Sequence, residues 1–161
     1  MNSDKREIKP LVTRDNKTLY YSRRGHEENV GGLDDLEDIW YSDFDNSTQD
    51  WSLAKNIGEP LNNLDPNFIS SFLLEEEEYI TLGNEYLNGG MNYGISKSRR
   101  LNETTWTYPQ NLRIYNDLNV HENVNFWLTP DSEILIISEE GRGTEGLRDL
   151  YVSFLQKDGL W

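Results

Sequence analysis

The chain has 161 residues, of which 35% are hydrophobic, a formal net charge of −14 and a mean hydropathy of −0.78, a length that suits one domain. Aromatic content of 12%, with nine Tyr and five Trp in short alternating runs, excludes a disordered chain in spite of its polarity. The acidic field excludes nucleic acid as a partner, and the absence of cysteine excludes a disulfide framework, a zinc knuckle and a thiol nucleophile.

Residues 1–6 read as a polar tail without the apolar stretch of a signal peptide. No apolar run approaches the ~18 residues of a spanning helix, so direct membrane insertion is not expected. A first unit, residues 7–64, opens with a strand ending at Val12-Thr13, a tight turn at Asp15-Asn16 and a second strand through Leu19-Tyr20-Tyr21-Ser22. Asp-Asn tolerates the positive φ that such a hairpin turn needs. Arg23-Arg24, like Arg99-Arg100 later, reads as solvated loop charge. A loop with Gly31-Gly32 then leads to a third strand, Asp38-Ile39-Trp40-Tyr41-Ser42, and Trp51 opens a fourth segment ending at Leu61-Asn62. The acidic loop Asp34-Asp35-Leu36-Glu37-Asp38 offers oxygen ligands, with Asp34, Asp35 and Glu37 as the weak candidates for Ca²⁺. It lacks an EF-hand arrangement and reads better as a solvated loop.

A second unit, residues 65–121, repeats the order with a degenerate first turn, in which Glu75-Glu76-Glu77-Glu78 forms a solvated tip. Its third strand is Asn92-Tyr93-Gly94-Ile95-Ser96, and Trp106 opens its fourth segment. The third unit, residues 122–161, runs through Phe126-Trp127-Leu128, a turn at Asp131-Ser132, Ile134 to Ser138, a glycine-bearing loop, and Asp149-Leu150-Tyr151-Val152-Ser153. It stops at Trp161, where its fourth strand should begin.

The units are in register. Trp51, Trp106 and Trp161 recur every 55 residues, and Asp15 and Asp131 lie 116 apart, as do Thr13 and Thr129. Asp38 and Asp149 head the third strands of units one and three. A fixed period means one supersecondary unit used repeatedly, here four short strands, slightly longer than a typical propeller blade. The expected fold class is therefore all-β: a partial β-propeller of consecutive four-stranded antiparallel blades, two full repeats and most of a third. The tryptophans are expected to pack at the outer hairpins and to be structural.

No catalytic constellation stands out. His26 and His121 lack metal-ligand spacing to any other ligand residue and read as surface residues. The Gly-x-Ser-x-Gly elbow is absent, and the glycine-rich stretches precede strands, not phosphate-binding helices. No cofactor is expected beyond the weak Ca²⁺ option. The sequons at Asn16, Asn46 and Asn102 fall on expected turns.

The Pro, Asp-led turn, Leu-Tyr-Tyr-Ser, glycine loop, Asp-Ile-Trp-Tyr-Ser, Trp and Leu-Asn order resembles the TolB-type, WD-like β-propeller repeat over residues 7–161. Its most faithful pieces are Thr129-Pro130-Asp131-Ser132-Glu133 with Leu135-Ile136-Ile137-Ser138, and Asp38-Ile39-Trp40-Tyr41-Ser42. The chain departs from it where Asp-Asn or Asp-Ser replaces the usual Asp-Gly turn. The resemblance implies a scaffold or docking module of the bacterial cell envelope, hence periplasmic. The leading expectation is a non-enzymatic protein–protein interaction module, whose loops on a rigid scaffold carry recognition. The alternative is the propeller portion of an enzyme, a glycosidase or a propeller-gated peptidase, with its catalytic residues elsewhere. Strand 149–154, lacking a neighbour on one side, is expected to promote self-association.

Overall fold

In a computed structural model of the chain, residues 3–73, 79–87, 90–115, 124–140 and 144–161 are described. The tip at Glu75–Glu78, His121, Leu118-Asn119 and Gly89, Gly141 and Gly143 lie outside them. The described residues are all-β, and every strand pairing is antiparallel.

Three sheets follow one another in chain order. The first contains β1 (Arg6–Val12), β2 (Thr18–Arg24), β3 (Asp38–Asp45) and β4 (Asp50–Trp51), with β5 (Lys55–Asn56) also on β3. The second is β6 (Ile69–Phe72), β7 (Tyr79–Leu87), β8 (Gly90–Arg99) and β9 (Gln110–Asn111). The third is β10 (Asn125–Leu128), β11 (Ile134–Glu139) and β12 (Asp149–Phe154). Sequential pairing of neighbouring strands needs only short hairpins, which the polar turn clusters supply.

The two Asp-led turns have the same construction. Thr13 and Thr129 each donate a hydroxyl to the aspartate two residues on, at 2.7 and 2.5 Å. The same aspartate oxygen accepts the backbone N–H of Lys17 or Glu133, at 3.0 and 3.1 Å. The threonine carbonyl accepts from Asn16 or Ser132, and both of those residues sit at positive φ, 60° and 63°. This is a type I turn closed by a left-handed residue, a geometry that matches the twist of the flanking strands. These bonds hold the Asp15 and Asp131 carboxyls below the usual aspartate range.

The fourth strands also correspond. Phe44 pairs with Trp51, and Arg100 bridges Trp106. Further along, Asn56 lies opposite Trp40 and Asn111 opposite Ser96. Trp106 is 5% exposed, whereas Trp51 is half-buried against Phe44, its ring edge-on at 5.2 Å. Trp161 does not continue a sheet edge: it exchanges backbone bonds with Arg113 and Tyr115 and donates its indole N–H to the Ser132 carbonyl at 3.2 Å.

The chain divides into two compact units, Met1–Ile69 with Arg100–Tyr108, and Ser70–Arg99 with Pro109–Trp161. In the first, Tyr20, Tyr21, Ile39, Trp40 and Leu61 are buried. In the second, Leu73 and Ile95 pack with Val124, Phe126, Leu128, Leu135 and Ile137 in one apolar cluster. Alternation along β10 and β11 turns these side chains to one face of the third sheet. At Gly94 in β8 a Cβ would overlap the Glu85 side chain as it lies across the register shift, so a larger residue there would have to displace it.

Candidate functional site

The glycine loop of the first unit is a buried polar assembly, which corrects the expectation of solvated charge. Arg23 is only 4% exposed. It lies opposite Glu7 in the β1–β2 register, pairs with that carboxylate at 3.2 Å, and donates to the Tyr21 hydroxyl at 3.1 Å. Its guanidinium lies 4.4 Å from the centre of the Trp40 ring. A planar, weakly hydrated cation is buried at tolerable cost where a carboxylate and an aromatic face replace water. His26 stands edge-on to the same indole at 4.7 Å and is half-buried, not the free surface residue expected. Asn29 joins the network by bonding both the Arg23 carbonyl and the Trp40 indole. Arg24, by contrast, is exposed and reaches Glu37 at 3.7 Å.

Two aspartates tie the loop to β3. Asp38 accepts the Val30 N–H at 2.8 Å and the Asn56 amide at 2.6 Å, and Asp35 accepts the Gly31 N–H at 3.0 Å. Both are buried, and each keeps one carboxyl oxygen without a hydrogen-bond partner. Burial pushes the Asp38 carboxyl up to about 6. The bonds from Asn56 and Val30 pull the other way, and the neighbouring Asp35 carboxyl adds to the rise. Asn62 completes the assembly by mimicking a strand, exchanging two bonds with the Ile39 backbone at 2.8 and 2.9 Å.

The weak Ca²⁺ candidates do not converge. Asp34 is exposed in a single 3-10 turn, Asp35 points to the loop backbone, and Glu37 pairs with Arg24. No group of three carboxylates or imidazoles among the described residues is placed to hold a metal ion. At the matching position of the third unit, Asp149 accepts the Glu145 N–H at 3.1 Å, so it too fixes the loop before its strand.

The compact unit of Ser70–Arg99 and Pro109–Trp161 carries a different feature. One face of the third sheet, β10–β12, meets the apolar cluster, but the residues described on the opposite face are exposed. Leu150 is 75% exposed, Phe154 58%, Val152 55% and Trp127 42%. Cross-strand register places Trp127, Ile136 and Val152 in one row on this outer face, with Ile134 opposite Phe154. Strands so continuously apolar are the kind buried on both sides. Among the described residues, β12 pairs only with β11. Beside its end, a cleft of about 670 Å³ is lined by Tyr115, Ser153, Gln156, Lys157, Asp158 and Trp161.

The burial of Arg23 was missed in the sequence, and Asp35 and Asp38 were singled out there as a weak Ca²⁺ candidate and a repeat position, not as loop anchors. The alternation of Tyr21, Arg23 and Trp40 on one sheet face was the available signal for Arg23. For the aspartate pair, the acidic loop beside the glycines and the match of Asp38 to Asp149 were the available signals. Neither a protein-family model, a curated protein nor a solved structure matches this chain.

Proposed function

We propose that the chain is a non-enzymatic protein-docking module whose three sheets are successive blades of a TolB-type, WD-like β-propeller. The blade reading is supported by three consecutive antiparallel sheets, by the shared construction of the turns at Asp15 and Asp131, and by the matching fourth-strand pairs at Asn56 and Asn111. Placement in the bacterial cell envelope rests on the family resemblance.

The observation that carries docking is the third sheet, with its uncovered apolar outer face and open β12 edge. An exposed apolar patch beside an unpaired strand edge fits addition of a partner strand or sheet. The buried polar groups of the first unit serve the loop itself: their bonds run to backbone and neighbouring side chains within that unit.

A photo-crosslinking residue at Val152, compared with one at Leu53, which is 86% exposed elsewhere, tests this in the cells of origin. Products specific to Val152 and lost with Phe154→Lys are expected. Equal products at both sites would overturn the docking surface. Turnover of a glycan or peptide by the purified chain, abolished by Asp38→Asn, would overturn the non-enzymatic reading.

A further inference from the structure

We infer that Asp35 and Asp38 share a single proton, held between their Oδ1 atoms, and that this proton latches the glycine loop, residues 25–37, onto β3. The inference concerns the first compact unit alone and is independent of the docking surface on the third sheet.

It starts from two orphaned oxygens. Asp35 is 5% exposed and Asp38 is fully buried. Each uses Oδ2 to hold the loop backbone: Asp35 accepts the Gly31 N–H at 3.0 Å, and Asp38 the Val30 N–H at 2.8 Å. The Oδ1 atom of each is buried without a hydrogen-bond partner. Such an oxygen is costly to leave without a donor. Ionised carboxylates can only accept, whereas a protonated carboxyl gains one O–H donor. One proton therefore satisfies both Oδ1 atoms. It also replaces the repulsion of two buried anions by an O–H···O⁻ bond, one of the stronger kinds. The two side chains lie within hydrogen-bonding reach of each other, in keeping with the rise of Asp38 to about 6 by burial and by its neighbour.

The charged groups around the pair have partners elsewhere or add to its negative charge. On β1, Glu7 holds Arg23, and Lys9 lies over the Phe68 ring. On β2, Arg23 is opposite Asp38 in register but is drawn to Glu7 and the Trp40 ring. On the loop, His26 stands against Trp40, Glu27, Glu28 and Asp34 are exposed, and Glu37 pairs with Arg24. On β5, Lys55 turns to Asp43, while Asn56 donates its amide to Asp38 Oδ2. The segment after β5 brings the uncharged Asn62 and Leu64, with Asp65 next.

The pair sits where it controls the whole loop. Gly25, at its start, donates its backbone N–H to the Asp35 carbonyl at 3.1 Å, and Asp35 donates its own to Gly32. Val30 and Gly31, in the middle, hang from the two carboxyls. While the proton is held, the exposed apolar residues Val30, Leu33 and Leu36 are presented on a fixed backbone. Once it leaves, two buried like charges oppose the closed loop. The folded value of about 6 exceeds the unfolded value of about 3.9, so the latch is complete in acid and is lost as pH rises through about 6.

Carbon NMR of the aspartate carboxyls, with amide exchange corrected for its intrinsic rate, tests this on the whole chain. The Asp35 and Asp38 γ-carbons should respond together to one proton lost near pH 6. Protection of the Val30 and Gly31 amides should fall about tenfold between about pH 5 and 7, and should fall equally in His26→Gln. In Asp35→Asn an amide N–H takes the place of the shared proton, so protection should hold across that range. Independent titration of the two γ-carbons, protection that does not change with pH in the parent chain, or a fall that persists in Asp35→Asn would overturn the latch. So would a fall abolished by His26→Gln, or protection restored at neutral pH by added Ca²⁺, which would make the pair a cation site. Should Asp35→Asn fail to fold, the γ-carbon titration of the parent chain decides by itself.

Discussion

At the scale of single residues, the turns and the buried aspartates make opposite demands. Asn16 and Ser132 both hold left-handed backbone, φ 60° and 63°, a conformation that asparagine accepts more readily than serine. Ser132→Gly should therefore stabilise, by roughly 1 kcal/mol less the added freedom of the unfolded chain, and Asn16→Gly by less. Thermal melting of both variants checks this order. The pH dependence divides by sign. Asp15, Asp45 and Asp131 have folded pKa values held down by side-chain and backbone bonds. Their contribution is present above the unfolded aspartate pKa and disappears as pH falls through the folded one. Asp38 is raised to about 6, so the folded state binds the extra proton between the unfolded value of about 3.9 and 6. Its contribution therefore weakens stability as pH rises through that window. Asp38→Asn should flatten the stability profile between about pH 4 and 6, measured by denaturant unfolding at each pH. An unchanged slope there would remove Asp38 as its source.

At the scale of elements, the first sheet depends on its buried cation and the bridge after β8 on its buried tryptophan. Truncating Arg23 to Ala removes the cation that bonds the Tyr21 hydroxyl and Glu7, leaving Glu7 its bonds from Ser3, and should cost about 3 kcal/mol, whereas Glu7→Gln keeps an acceptor and costs less. Trp106, 5% exposed, should cost about 3 kcal/mol or more on truncation to Ala, and the half-buried Trp51 distinctly less. Urea titrations of the variants read these differences directly. Strands and turns were legible in the sequence because alternation and Asp-led turn chemistry are local. Leu19–Ser22, Ile39–Ser42, Ile134–Ser138 and Leu150–Ser153 all lie within observed strands. The fate of charges was not, because it depends on what the sheet face meets. Arg23-Arg24 illustrates this: alternation sends Arg23 inward to Trp40 and Glu7 and Arg24 outward to Glu37. Asn62 likewise reads as loop polarity, while its amide substitutes for a strand on the Ile39 backbone.

At the scale of the whole molecule, the account holds that the third of three antiparallel sheets presents an apolar outer face that is free to dock. That the outer face of β12 is uncovered emerged only from exposure, since Leu150, Val152 and Phe154 alternate with Asp149, Tyr151 and Ser153 as a half-buried strand would. Hydrogen exchange along β12 is the most direct measurement. In dilute chain, the inner amides, bonded to β11, should exchange slowly, while alternate outer amides exchange at nearly the rate of an exposed loop. The outer set should become protected as the surface is occupied. Uniform slow exchange along β12 in the dilute monomer would mean that the edge is already satisfied within the chain, and would contradict the docking account.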